Sequence, residues 1–169
     1  MVNFGGFAAC LAMLGYAFYA QHGLGLEPCP LCMFQRVGVG LLGAAFLVAA
    51  LHAPASRGGA RIYALLIGLV AAFPAYVAGR HVYIQSLPEG SVPSCGATLD
   101  YMLDVFPLFT VVRKVLTGGG ECARIDWSLL GLSMPGWVLV AVLVLGVTGV
   151  FWNWRSRISP DSQVSIANS

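Results

Sequence analysis

Apolar and polar positions divide this chain into four long apolar runs separated by loops of mixed character. The runs cover residues 4–20, 31–51, 62–79 and 136–152, and very few charges interrupt them. Each approaches the roughly 20 apolar residues that carry a helix across about 30 Å of hydrocarbon. The pattern predicts an all-α membrane protein built as a four-helix transmembrane bundle, with a single domain over residues 1–154 and a polar tail over 155–169. Arg36 sits about one turn inside the second run, close enough to its end to snorkel or to meet a polar ligand. Pro74 falls inside the third run and predicts a kink, which a bundle tolerates. The first run lacks a basic leader, and the bulky Phe18 and Tyr19 make a poor cleavage site, so it reads as a retained span.

Residues 99–116, between the third and fourth runs, set Tyr101, Val105, Phe106, Leu108, Phe109, Val111, Val112 and Val115 among Asp100, Asp104, Arg113 and Lys114. That mixture, broken by Pro107, predicts a short amphipathic helix lying on the membrane surface. Gly118 and its two following glycines form a hinge before Glu121 and Cys122. Residues 158–169 are polar and Ser-rich, a composition that predicts disorder.

An even number of spans puts both termini on one side and gathers the loops 21–30 and 80–135 on the other. Arg57, Arg61, Arg155 and Arg157 favour a cytoplasmic middle loop and tails, while Arg113, Lys114 and Arg124 in the opposite loop weaken the asymmetry. Trp127, Trp137, Trp152 and Trp154 flank the fourth run as interfacial anchors do. Only 9% of the 169 residues are charged and 58% are hydrophobic, against about 25% charged in a soluble domain. The net charge of +2 and the absence of a basic cluster give no reason to expect nucleic-acid binding. Gly38, Gly40, Gly43, Ala44 and Ala45 would let helices approach closely.

Against this topology the cysteines stand out. Of five, Cys29, Cys32, Cys95 and Cys122 fall in or beside the two loops on one face, and Cys10 alone lies inside a span, where it reads as a small buried hydrophobe. The favoured face is outside the cytoplasm, where disulfides persist. Cys29-Pro30-Leu31-Cys32 is a C-x-x-C pair at the entrance to a helix, where the positive end of the helix dipole and nearby Arg36 favour an anionic sulfur. Cys32 precedes Arg36 by four residues, so both face one way and could flank a flat acceptor. C-x-x-C alone is a weak signal. Two further cysteines could complete a zinc centre, although no second C-x-x-C knuckle exists and no metal is expected; stable structural disulfides are the other alternative.

The run Glu27-Pro28-Cys29-Pro30-Leu31-Cys32-Met33-Phe34-Gln35-Arg36 resembles the first active-site loop of DsbB proteins. Gly120-Glu121-Cys122-Ala123, followed by Trp127, Leu130-Gly131-Leu132 and Met134-Pro135-Gly136-Trp137, resembles the end of their second loop, and the likeness covers nearly the whole chain. The resemblance implies a thiol oxidase of the bacterial inner membrane, with its active-site loops in the periplasm and both termini cytoplasmic. It further implies a Cys95–Cys122 disulfide attacked by a soluble DsbA-type dithiol protein of thioredoxin fold, with the mixed disulfide at Cys95. Cys122 would then exchange with Cys29, and the freed Cys32 would deliver electrons to ubiquinone or menaquinone. Arg36 and His81 map onto the family's quinone-site residues, with Gln85 and Pro88 close behind His81. Gln35 stands where DsbB proteins carry an acidic residue. A quinone-linked enzyme of the vitamin K epoxide reductase type and a scaffold with structural disulfides remain alternatives. The former carries its C-x-x-C in the last helix of its bundle, not at the start of the second.

Overall fold

Each apolar run becomes a helix longer than the run itself. The structure is a computed structural model that describes residues 2–54, 56–88, 101, 104–117 and 122–155. In chain order the elements are α1 (Val2–His22), α2 (Pro30–His52), α3 (Arg57–Gln85), the shorter α4 (Leu108–Thr117), the two-residue strands β1 (Ser128–Leu129) and β2 (Leu132–Ser133), and α5 (Met134–Arg155). Four of these helices, α1, α2, α3 and α5, are long and apolar enough to cross a membrane, so the chain is a multi-pass membrane protein.

Local chemistry explains where the helices begin. Pro28 and Pro30 disfavour helical backbone at the residues before them, so Cys29 is extended and Pro30 takes the first helical position of α2, where its missing N–H is no loss. Ser56 caps α3, its Oγ accepting from the Gly59 amide at 3.1 Å. Arg57 and Arg61, read from sequence as loop residues, thereby join the first turns of α3. With 29 residues, α3 is about 44 Å long at about 1.5 Å per residue, well beyond the hydrocarbon thickness. Its last turns carry His81 and Gln85 past the apolar run.

The bundle is a ring in which α1 packs on α2, α2 on α3, α3 on α5, and α5 more lightly on α1. Its centre holds Cys10, Val39, Leu42, Phe46, Ile67, Ala71 and Val142. Close approach depends on two glycines in particular. A Cβ on Gly38 of α2 would lie 2.7 Å from Pro74 Cβ, so α2 packs directly on the proline that α3 carries within its length. A Cβ on Gly149 of α5 would lie 2.8 Å from the Phe46 ring. At the end remote from the cysteines, Asn3 and Asn153 exchange hydrogen bonds: Asn3 Nδ2 donates to Asn153 Oδ1 at 3.1 Å and Asn153 Nδ2 to Asn3 Oδ1 at 2.8 Å, joining α1 to α5.

The amphipathic helix predicted over 99–116 is present as α4, starting after Pro107. Val111 and Val115, one turn apart, are buried, while Asp104, Arg113 and Phe109 are exposed. Leu99, Asp100, Met102, Leu103, the three glycines 118–120, Cys95 and residues 156–169 lie outside the described residues. Unforeseen from the sequence, β1 and β2 form an antiparallel hairpin through Leu130 and Gly131, both at positive φ (54° and 79°). Trp137 Nε1 donates to Leu129 O at 3.0 Å and ties the hairpin to α5.

Candidate redox site

The geometry of the C-x-x-C pair follows from the start of α2. Cys29 belongs to the extended residue before the helix and Cys32 to its first turn, which sets the two sulfurs 3.4 Å apart. At that separation the two sulfurs are not bonded to each other. Leu31 between them is fully buried and packs with Val77 and Ile84 of α3, Val111 and Val115 of α4, and Cys122. This second apolar cluster fixes the turn between the cysteines and draws Cys122, far along the chain, to the same place. Sulfur atoms of Cys29 and Cys122 and a ring nitrogen of His81 lie within 4.8 Å of one another.

His81 is the hub. It is 2% exposed, with Nε2 3.7 Å from Cys29 Sγ and Nδ1 4.0 Å from Cys32 Sγ. Gln35 Nε2 donates to His81 Nδ1 at 3.0 Å. Nδ1 therefore accepts, and Nε2 carries the proton and donates to the Cys122 carbonyl oxygen at 3.1 Å. Gln35, 4% exposed, is thus the buried partner that orients the imidazole.

Arg36 reaches across to α1. Its Nη1 donates to Gln21 Oε1, its Nη2 donates to Ala17 O at 3.0 Å, and its guanidinium lies 5.4 Å from the centre of the Phe18 ring. Held in this way, Arg36 lines a cavity of about 120 Å³ together with Cys29, Cys32, Gln35, His81 and Gln85. The space is roughly ten times what one water needs. Apolar walls come from Met13 and Leu14 of α1, Val39 of α2 and Val138 of α5, with Trp127 at the loop side. Gln85 braces that loop: its Nε2 donates to Arg124 O at 3.4 Å and its Oε1 accepts from Ser133 Oγ at 2.6 Å.

Of the residues singled out from sequence, Cys29, Cys32, Cys122 and His81 converge and Arg36 shares a cavity with Cys29, Cys32 and His81, while Cys95 lies outside the described residues. Arg80, the neighbour that could have taken the place of His81, instead donates from Nε to Leu116 O at 3.2 Å and so ties α3 to α4. Cys10 is remote, packed against Gly43. His52 pairs with the Tyr63 hydroxyl at 2.8 Å and His22 stacks on Phe18, both outside the site. Gln21 and the orienting role of Gln35 went unread. Their signal was polarity itself, since an amide within or at the end of an apolar run is retained only where it has a partner.

A cluster of three sulfurs, an imidazole and a guanidinium beside an apolar cavity suits exchange between sulfurs coupled to a flat apolar acceptor. Comparison with known proteins bears on the exchange between sulfurs. A family model described as "Disulfide bond formation protein DsbB" matches residues 1–152. Disulfide bond formation protein B of Nitrosococcus oceani is 51% identical over 155 residues, 92% of this chain and 91% of the relative. The proteins of the same name from Acinetobacter baumannii and Methylococcus capsulatus are 49% and 48% identical, covering 81% and 90% of this chain and 80% and 92% of their own lengths.

Proposed function

Since this chain belongs to the DsbB family of disulfide bond formation proteins, we propose that it reoxidises a periplasmic dithiol protein of the DsbA type and passes the two electrons to membrane quinone. The observation that carries this reading is that Cys122 meets Cys29 and His81 where Cys29, Cys32 and His81 form the wall of a cavity.

In this scheme a thiolate of the reduced partner attacks the Cys95–Cys122 disulfide at Cys95, releasing the Cys122 thiolate. The partner's second thiolate then attacks its own sulfur in the mixed disulfide, leaves oxidised, and frees Cys95. Cys122 next attacks Cys29 of the oxidised C-x-x-C pair, forming a Cys29–Cys122 bridge and releasing the Cys32 thiolate. Attack by Cys95 on Cys122 restores the first disulfide and leaves Cys29 and Cys32 reduced. The proximity of Cys122 to Cys29 makes the interloop step short. Cys29, on extended backbone before α2, is the sulfur able to turn toward an incoming partner, whereas Cys32 is fixed by the helix.

The residues present fit a quinone. Met13, Leu14, Val39 and Val138 offer an apolar slot, and Arg36 offers N–H groups at its edge, with the His81 ring beside it. A quinone, when bound, accepts two electrons and two protons. Arg36 would stabilise negative charge developing beside Cys32, and Gln21 and Ala17 keep its guanidinium in place. Gln35 holds the His81 imidazole against both sulfurs of the pair. The positive residues Arg57, Arg61 and Arg155 favour a cytoplasmic setting for the opposite end of the bundle, which supports a periplasmic side for the cysteines.

The test is quinone reduction by purified protein supplied with reduced DsbA, with Cys32→Ser beside the wild type. Turnover by wild type and none by the variant is expected. If neither protein reduces quinone and the disulfides resist glutathione, the cysteines are structural and the proposal fails.

A further inference from the structure

We propose that the fully reduced site binds a soft divalent cation of the zinc class through Cys29, His81 and Cys122, with Cys32 as fourth ligand, and that the bound ion halts electron transfer. The inhibitory consequence rests on the thiol-oxidase reading above, while the ion site itself does not.

The argument begins with distances. Zinc holds sulfur at about 2.3 Å and histidine nitrogen at about 2.0–2.1 Å, so tetrahedral angles set sulfur and nitrogen donors about 3.6 Å apart and two sulfurs about 3.8 Å apart. Here Cys29 Sγ is 3.7 Å from His81 Nε2 and 3.4 Å from Cys32 Sγ. The Cys29, Cys122 and His81 donors all lie within 4.8 Å of one another, so side-chain shifts of about 1 Å complete a tetrahedron. The donors come from the start of α2, from α3 and from Cys122, which lies between α4 and β1. That dispersal is why no second C-x-x-C knuckle marks the site in the sequence.

The surroundings supply what a histidine ligand needs behind it. Such a histidine ordinarily donates its second N–H to a fixed acceptor. Gln35 is buried, with its amide 3.0 Å from Nδ1, and half a turn of that amide presents Oε1 to an Nδ1–H. The tautomer so fixed frees the Nε2 lone pair, which gives up its contact with the Cys122 carbonyl to meet the ion. Two thiolates neutralise the cation, so little net charge is buried, and Arg36 stands one turn along α2 from a third. Binding releases thiol protons and moves no electrons. Sulfurs bonded to the ion can neither attack a disulfide nor re-form one, and a disulfide offers the ion no thiolate. The cation therefore selects the reduced state and holds it there.

The experiment titrates metal-free, fully reduced protein in detergent with Co²⁺, followed by the charge-transfer and d–d absorption of a tetrahedral thiolate site, and then displaces Co²⁺ with Zn²⁺. One ion per chain is expected, with affinity lowered at least about tenfold in Cys122→Ser and His81→Gln, and about 10- to 100-fold in Gln35→Leu. Cys10→Ala should match wild type, oxidised protein should give no such spectrum, and Zn²⁺ should arrest quinone reduction reversibly. An octahedral spectrum, unchanged affinity in Cys122→Ser and His81→Gln, equal binding by oxidised protein, or full turnover with Zn²⁺ bound would overturn the proposal. Turnover measured with chelator present separates the two readings. Electron transfer without a cobalt site defeats this inference alone, whereas a cobalt site in a chain that never reduces quinone defeats the proposed function and leaves the ion site standing.

Discussion

Replacing Gly38 with alanine tests whether the α2–α3 contact positions the redox site. The added Cβ would stand 2.7 Å from Pro74 Cβ, against about 3.5–4.0 Å for carbon atoms in contact. The neighbour is a ring carbon of a proline embedded in a helix, so no flexible side chain can move aside. The helices must part by about 1 Å at this level, and overpacking of that kind typically costs about 1–3 kcal/mol. Gly38 lies three residues from Gln35 on the same face of α2, and Pro74 lies two turns before His81 on α3. A 1 Å separation there stretches the 3.0 Å Gln35–His81 hydrogen bond toward breaking. Misplacement of reacting groups on this scale can lower turnover by about 100-fold. Thermal unfolding in detergent and quinone reduction, measured on the same preparation of Gly38→Ala, should therefore fall together. Wild-type values for both would mean that α2 and α3 do not meet as described, and loss of stability with full turnover would mean that this contact does not position the site.

Substitutions at three other positions probe separate parts of the structure. Gln21→Leu removes the acceptor for Arg36 Nη1 and should lower kcat/KM for quinone roughly tenfold, equivalent to about 1.5 kcal/mol for a hydrogen bond to a charged group; Gln21→Glu should retain most activity, and equal rates in all three proteins would remove Gln21 from the positioning of Arg36. Asn153→Ala breaks the reciprocal amide pair with Asn3 and should destabilise by about 1 kcal/mol, a typical value for a hydrogen bond between membrane helices, with turnover unchanged; a loss of turnover in the folded variant would contradict the separation of the two ends. Leu130→Asn relieves a leucine held at φ 54°, and because left-handed backbone costs such a residue about 1–2 kcal/mol, the melting temperature should rise; a fall would show that the exposed Leu130 side chain stabilises the protein.

The parts of this architecture that could be read from the chain are those governed by local composition. Four spans follow from runs of apolar residues, and α4 follows from valines spaced to bury one face. The helix ends were harder to see, because capping by Ser56 and the proline before α2, not hydropathy, decide where backbone hydrogen bonding begins. Cys29, Cys32 and Arg36 share a helix entrance and were legible together. Their meeting with Cys122 and His81 depends on how α2, α3 and α4 rotate against one another, which Leu31 and Val111 settle by burial and no local pattern reveals. Gln35 with His81, 46 residues apart, and Asn3 with Asn153, 150 apart, are partners for the same reason. The hairpin escaped notice because leucine occupies a position where asparagine or glycine would have announced the turn.

The length of α3 ties the chemistry to the lipid around it. A helix of about 44 Å in a hydrocarbon layer of about 30 Å would need to lean by nearly 50° to hide its full length, more than the 0–40° that spanning helices adopt. Its ends therefore stand outside the hydrocarbon, and His81, two residues past the apolar run, sits only about 3 Å beyond its edge. Biological bilayers differ in thickness by a few Å, which is the same distance. In a thicker membrane the sulfurs and imidazole would sink into oil, and in a thinner one the cavity mouth would open into water. Under the proposed function, membrane thickness becomes a setting of the reaction, because the length of one helix puts the thiols at the boundary between a water-borne protein and a lipid-soluble acceptor.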